Sequence, residues 1–119
     1  MTKVLIVDDS APDLEHLKSI LTKANYHVIS TGSGDEAIEL ALKEKPNVIL
    51  LDIVMQGTDG YRACREISKN PSTKDIPILF VSSKNQKADE MWAKKQGGKA
   101  LISKPYTETQ IIDQVRSFI

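Results

Sequence analysis

Residues Asn47–Gly60, NVILLDIVMQGTDG, set four aliphatic side chains, Val48 to Leu51, directly before a carboxylate, Asp52. An unbroken apolar run of this length suits a strand covered on both faces, as in a parallel sheet, better than one with a wet side. Burying an unpaired carboxylate is so costly that Asp52 must stand at an exit to solvent or against a cation.

The same arrangement recurs along the chain. Val4 to Val7 precedes Asp8 and Asp9, and Ile78 to Val81 precedes Ser82 and Ser83. Weaker runs are Val28-Ile29 and Leu101-Ile102, the second followed by Lys104-Pro105. Between the runs lie segments with helical periodicity. Leu14, Leu17, Leu21 and Ala24 form one stripe, and Ala37, Ile38 and Ala41 another. Three more are Tyr61, Cys64 and Ile67; Ala88, Met91 and Trp92; and Ile111, Val115 and Phe118. Ser33 with Glu36 and Thr107 with Gln110 have capping-box spacing, and Ser10 with Asp13 is a looser version with Pro12 in the first turn. Gly97-Gly98 suits a helix stop before a last strand.

Five strands alternating with five helices predict a (βα)5 fold: a doubly wound α/β domain whose parallel sheet has right-handed crossovers and helices on both faces. All 119 residues fit one domain. Sixteen basic and sixteen acidic residues cancel, which argues against a nucleic-acid or anionic-membrane surface as the main purpose. The single cysteine, Cys64, allows no internal disulfide and no CxxC metal site; it reads as a buried hydrophobe in a reducing cytosol. The N-terminal apolar run is too short for a signal peptide or a membrane span, so a cytoplasmic protein without membrane insertion is expected.

In doubly wound sheets ligand chemistry collects at the carboxyl ends of the strands. Asp8-Asp9, Asp52, Ser82-Ser83 and Lys104-Pro105 should all lie on that edge. If strands one and three are neighbours, three carboxylates converge, and two such charges ~4 Å apart repel by roughly 4 kcal/mol at an effective dielectric of about 20. Oxygen-only ligands open to water suit Mg²⁺, which usually shares its shell with a phosphate. Asp52 is then a candidate nucleophile, because carboxylates form aspartyl-phosphate intermediates and phosphoryl transfer needs mainly positioning and charge neutralisation. Lys104 supplies a second positive charge and Ser82 a hydroxyl. No histidine base is needed; His16, in helix one, and His27, before strand two, are placed away from this edge.

Plainer readings compete. Asp8 and Asp9 could only favour the positive end of helix one, Asp52 could be a solvated loop residue, and Lys104 a surface lysine. Trp92, within the Ala88/Met91 stripe, reads as packing in preference to a partner contact, and KADEMWAKK as a solvated helix face. A haloacid-dehalogenase-type phosphatase would want a second aspartate at position 54, where Val54 stands, and a larger core. A flavodoxin-like FMN binder would want a Ser/Thr/Gly-rich phosphate loop after strand one.

With "VLIVDDS", "VILLDIVMQGTDG", "ILFVSSK" and "LISKPYT" in order and spacing over the whole chain, the sequence resembles the CheY-like receiver domain of two-component response regulators. Within that family, "DIVMQGTDGYRA" and "SSKNQKADEMWAKKQG" resemble the PilH-like single-domain regulators of type IV pilus twitching motility and chemotaxis-like systems. The resemblance implies the strand order 2-1-3-4-5 and Asp52 as phosphoacceptor from a histidine kinase. It implies Mg²⁺ held by Asp9, Asp52 and the Val54 backbone carbonyl, with Asp8 assisting through water. Ser82 takes the switch position and Lys104 the phosphate-binding one, with Lys104-Pro105 cis. Output is expected through a helix 4–strand 5–helix 5 face carrying Trp92, Leu101 and Tyr106, with no output domain in the chain. Alternatives are a phosphate sink for another regulator and a receiver-like module that works without phosphorylation. Two departures stand out. Gln56 occupies a position that is usually proline, and Leu101 one where chemotaxis-type members carry an aromatic that swings inward on activation.

Overall fold

The computed structural model describes every residue except Thr58 and Asn85, which fall inside two of the motifs quoted above. Its elements alternate strictly. They run β1 (Lys3–Val7), α1 (Ala11–Lys23), β2 (His27–Thr31), α2 (Gly34–Glu44), β3 (Val48–Leu51), α3 (Gly60–Lys69), β4 (Ile78–Ser82), α4 (Lys87–Lys95), β5 (Ala100–Ser103) and α5 (Glu108–Ser117). The five strands form one sheet in the order β2-β1-β3-β4-β5, every neighbouring pair parallel. The expected (βα)5 architecture and strand order are both present.

The aliphatic runs do what their composition dictates. Successive strand residues point to opposite faces, and both faces are covered. Leu5, Val7, Ile49, Leu51, Ile78 and Phe80 pack toward α2 and α3, where Ala37, Ala41, Cys64 and Ile67 meet them. Val4, Ile6, Val48, Leu50, Leu79 and Val81 pack the other way, against Leu17, Ile20 and Leu21 of α1 and Ile111 and Val115 of α5. Ile20 belongs to the core although the expected stripe omitted it, while Leu14 and Ala24 are only half-buried.

Caps set the helix starts. Ser10 Oγ accepts the Asp13 N–H, Ser33 Oγ the Glu36 N–H, and Thr107 with Gln110 forms a reciprocal capping box. Two further caps, Asp59 before α3 and Gln86 with Asp89 before α4, escaped the sequence reading. Gly97, at φ +110°, lets the chain turn out of α4, a conformation that L side chains rarely adopt.

Helix α4 departs from expectation. The stripe of Ala88, Met91 and Trp92 does not face the sheet: Met91 is 67% exposed and Trp92 49%. The buried contact is made by Ala93, whose carbonyl also accepts the Gly98 N–H. A small residue on the inner face lets the helix lie close to the sheet, and the large apolar side chains are left on its outer side. Trp92 sits edge-on to Tyr61, ring centroids 6.4 Å apart, and under the Lys95 ammonium. Among the described residues no helix is long and apolar enough to cross a membrane.

Candidate functional site

Because β1 and β3 are direct neighbours, with Val7 beside Leu51, the residues that follow them emerge together. Carboxylate oxygens of Asp8, Asp9 and Asp52 lie within 4.8 Å of one another. Asp8 and Asp52 are buried, 5% and 8% exposed, whereas Asp9 faces solvent. Three acids this close repel, and an oxygen-only donor set with one side open to water fits a hard divalent cation such as Mg²⁺. That fit rests on the donors present.

The backbone beneath Asp52 is tightly packed. Its N–H donates to the Val7 carbonyl, and Gly60 donates its N–H to the Ile53 carbonyl. A Cβ at Gly60 would run into the Asp52 carbonyl oxygen, so only glycine lets α3 begin this near the strand end. Sequence reading gave Gly60 no role. The signal available was the Asp-Gly pair, with Asp59 as the cap of α3.

Lys104 reaches the cluster from the end of β5. Its ammonium donates to Asp8 Oδ2 at 2.8 Å and to Asp13 Oδ2 at 3.0 Å, and stands 3.8 Å from Asp52 Oδ2. Among the described residues, Lys104 is the cation that faces the buried acids. Asp13 was expected only as a capping partner of Ser10; it is in fact the second counter-ion of Lys104, through a contact between residues 91 positions apart. The Lys104-Pro105 peptide is cis, as expected.

Charge placement sets the proton affinities. Burial lifts the Asp52 carboxyl from 3.8 to about 6; Lys104 and the Ile53 N–H pull it down, while Asp8 and Asp9 push it further up. Burial disfavours the charge on Lys104, but its hydrogen bonds to Asp8 and Asp13, with the nearby Asp52 charge, hold it above the ordinary lysine range. Asp8 is fixed from two sides, its Oδ1 accepting the Ser10 N–H while Oδ2 takes Lys104. Asp9 Oδ2 accepts the backbone N–H of Gln56 at 3.0 Å. The residue that stood out in the sequence thus touches the cluster through its main chain.

Ser82, the last residue of β4, is buried, and its Oγ accepts the Lys84 N–H. Ser83 is exposed and lines a cleft of about 350 Å³ with Asp13, His16, Lys104, Pro105 and Tyr106. His16 is therefore closer to the site than its place in α1 suggested: its ring stacks on Tyr106, centroids 5.5 Å apart and planes inclined by 12°. His27 begins β2, at the opposite end of the sheet. Of the residues expected on a partner face, Trp92 is the most open; Leu101 packs partly against the core and Tyr106 is half-buried. Val54 is exposed in the loop after Asp52. Cys64 is buried, its thiol pushed up to about 11 chiefly by burial, in keeping with a packing role.

An acidic trio, a buried hydroxyl and a lysine at the carboxyl ends of four parallel strands define a recognisable class. Residues 4–116 match the response regulator receiver domain family, and the chain belongs to that family. Over 119 residues it is 35% identical to Protein PilH of Pseudomonas aeruginosa, covering 100% of this chain and 98% of that protein. It is 30% identical to response regulator PleD of Caulobacter vibrioides, but spans only 25% of that protein's length. Chemotaxis protein CheY4 of Vibrio cholerae superposes with a TM-score of 0.94 at 25% identity, covering 100% of this chain and 99% of the other. The receiver domain of a Pseudomonas aeruginosa sensor histidine kinase, solved with a magnesium ion coordinated in its active-site cleft, has the same fold; its TM-score is 0.92 at 21% identity, over 98% of this chain and 96% of that one.

Proposed function

We propose that this receiver domain is a phosphoacceptor switch in which Asp52 takes a phosphoryl group from a histidine kinase in a Mg²⁺-dependent reaction. The observation that carries the reading is the placement of Asp52: a buried carboxylate at a strand end, beside two other acids and within 3.8 Å of a lysine ammonium. A carboxylate held in that field is destabilised as an isolated charge and is relieved by any arrangement that brings cations to it.

Asp8, Asp9 and Asp52, with the Val54 backbone carbonyl, would hold the cation, which supplies neutralisation of negative charge during transfer. In the transfer an Asp52 carboxylate oxygen bonds to phosphorus as the bond from phosphorus to the donor's leaving group breaks. Lys104, turning from Asp13, neutralises a phosphoryl oxygen, and the Ser82 hydroxyl exchanges its contact with Lys84 for one to another oxygen. The protein then carries a bound dianion that both residues must follow. That movement is the switch, and we assign its readout to the α4–β5–α5 face, to which α4 contributes the exposed Met91 and Trp92 and β5 contributes Leu101, with Tyr106 in the segment before α5. Full-length similarity to PilH and the CheY4 likeness support a role in type IV pilus or chemotaxis-like motility control, in the cytoplasm.

Intact mass spectrometry after incubation with Mg²⁺ and acetyl phosphate tests the reading. Wild type should gain one phosphoryl group and Asp52→Asn none. A wild type that gains nothing, or a variant that gains as much, overturns it.

A further inference from the structure

Asp13 stands in the first turn of α1, three residues after the cap Ser10, where an acid can fold back onto the N–H of the capping residue. Here that donor is taken: the Ser10 N–H goes to Asp8 Oδ1 at 2.9 Å. The Asp13 carboxylate reaches across the site instead, and its Oδ2 accepts the Lys104 ammonium at 3.0 Å. Lys104 is thereby held by two acids, Asp8 at 2.8 Å and Asp13, while Asp52 Oδ2 stands off at 3.8 Å, beyond hydrogen-bond reach. We propose that Asp13 is a positioning residue that brakes the switch: it retains Lys104 short of Asp52, and a phosphoryl group on Asp52 has to take the lysine from it.

The inference rests on the phosphoacceptor reading and adds what sets the balance of the switch. Lys104 has three donors, two of them committed to Asp8 and Asp13, and bonding a phosphoryl oxygen reorients the whole ammonium. Its two present partners are not equally easy to leave. The Asp8 side chain is 6% exposed, and removing its cation would strand a buried charge. The Asp13 side chain is 48% exposed, so water replaces the lysine there at small cost. Asp13 is therefore the partner that Lys104 gives up. Its contact then belongs to the unphosphorylated protein alone, and its worth is subtracted from the phosphorylated form. For a half-exposed ion pair that worth is up to about fivefold in an equilibrium constant. Asp13 thus tunes the switch; the transfer itself runs through Asp52, Lys104 and the cation and proceeds without it.

Beryllium fluoride, which bonds to a carboxylate oxygen as a phosphoryl mimic, is titrated into the full chain with Mg²⁺ present, and the bound fraction is read by fluorine NMR. Asp13→Asn should bind the mimic about fivefold more tightly than wild type. Damage to the site would weaken binding, so a gain is not what a merely structural role produces. Glu15→Gln removes an equal charge from an exposed position in the same helix and should change the affinity by less than about twofold. An equal gain in Glu15→Gln, or an Asp13→Asn variant no tighter than wild type, overturns the proposal. The second measurement needs no metal, mimic or variant: at low temperature the Lys104 ammonium should show scalar coupling across its hydrogen bond to the Asp13 carboxyl carbon. Absence of that coupling in wild type refutes the brake even if Asp13→Asn does not fold. A wild type that shows the coupling but binds no mimic overturns the phosphoacceptor reading, and the proposal falls with it.

Discussion

Neutralising Asp52 should make the metal-free domain more stable. In the fold its carboxyl is lifted from 3.8 to about 6, chiefly by burial, so the native chain binds this proton more tightly than the unfolded chain does. The contribution is therefore fully favourable below about pH 3.8 and is lost as pH rises through about 6. The gap from 3.8 to about 6, at about 1.4 kcal/mol per pH unit, amounts to about 3 kcal/mol of native-state strain near neutrality. Asp52→Asn has the same shape and no charge. Lys104 keeps Asp8 and Asp13 as partners in that variant, so the substitution does not orphan the lysine. Urea unfolding in the presence of a chelator should give a gain of about 3 kcal/mol near pH 7.5 and only about 1 kcal/mol near pH 4.5. Saturating Mg²⁺ should then raise wild type more than the variant, by mass action on the native state. An Asn variant no more stable than wild type near neutrality, or a gain that does not shrink on acidification, would refute the reasoning.

Other perturbations separate the parts of the site from its surroundings. Lys104→Met leaves the buried Asp8 and Asp52 without their cation and should cost about 3 kcal/mol at neutral pH; the loss should diminish in acid, and a pH-independent loss in urea unfolding would contradict the pairing. Gly60→Ala drives a Cβ into the Asp52 carbonyl and should cost at least about 2 kcal/mol, read by the same unfolding assay. Trp92→Ala, at a side chain 49% exposed, should cost less than about 1 kcal/mol while changing partner capture in a pulldown; Phe80→Ala, in the dry core, should cost about 3 to 5 kcal/mol.

The parts of this molecule that composition alone dictates were legible in its sequence. Val48 to Leu51 reads best as a strand with both faces covered, and such strands bring Asp8, Asp9, Asp52 and Lys104 to one edge through topology. Side chains that pack by proximity were not legible. Met91 and Trp92 look like core by periodicity, yet α4 meets the sheet through Ala93, because the small residue permits the closer approach. The pairing of Asp13 with Lys104 leaves no local trace, since its partners lie 91 residues apart. Nor can a residue-type pattern reveal the Gln56 contact, in which the donor is a backbone N–H.

The central claim is that Asp52 carries the phosphoryl group because cations gather around it. Peptide mapping after borohydride trapping of the acyl phosphate, on wild type treated with acetyl phosphate with and without Mg²⁺, tests it most directly. Modification should fall on Asp52 alone, and only with the metal present. Modification at another aspartate, or at Asp52 to the same extent in chelator, would contradict it.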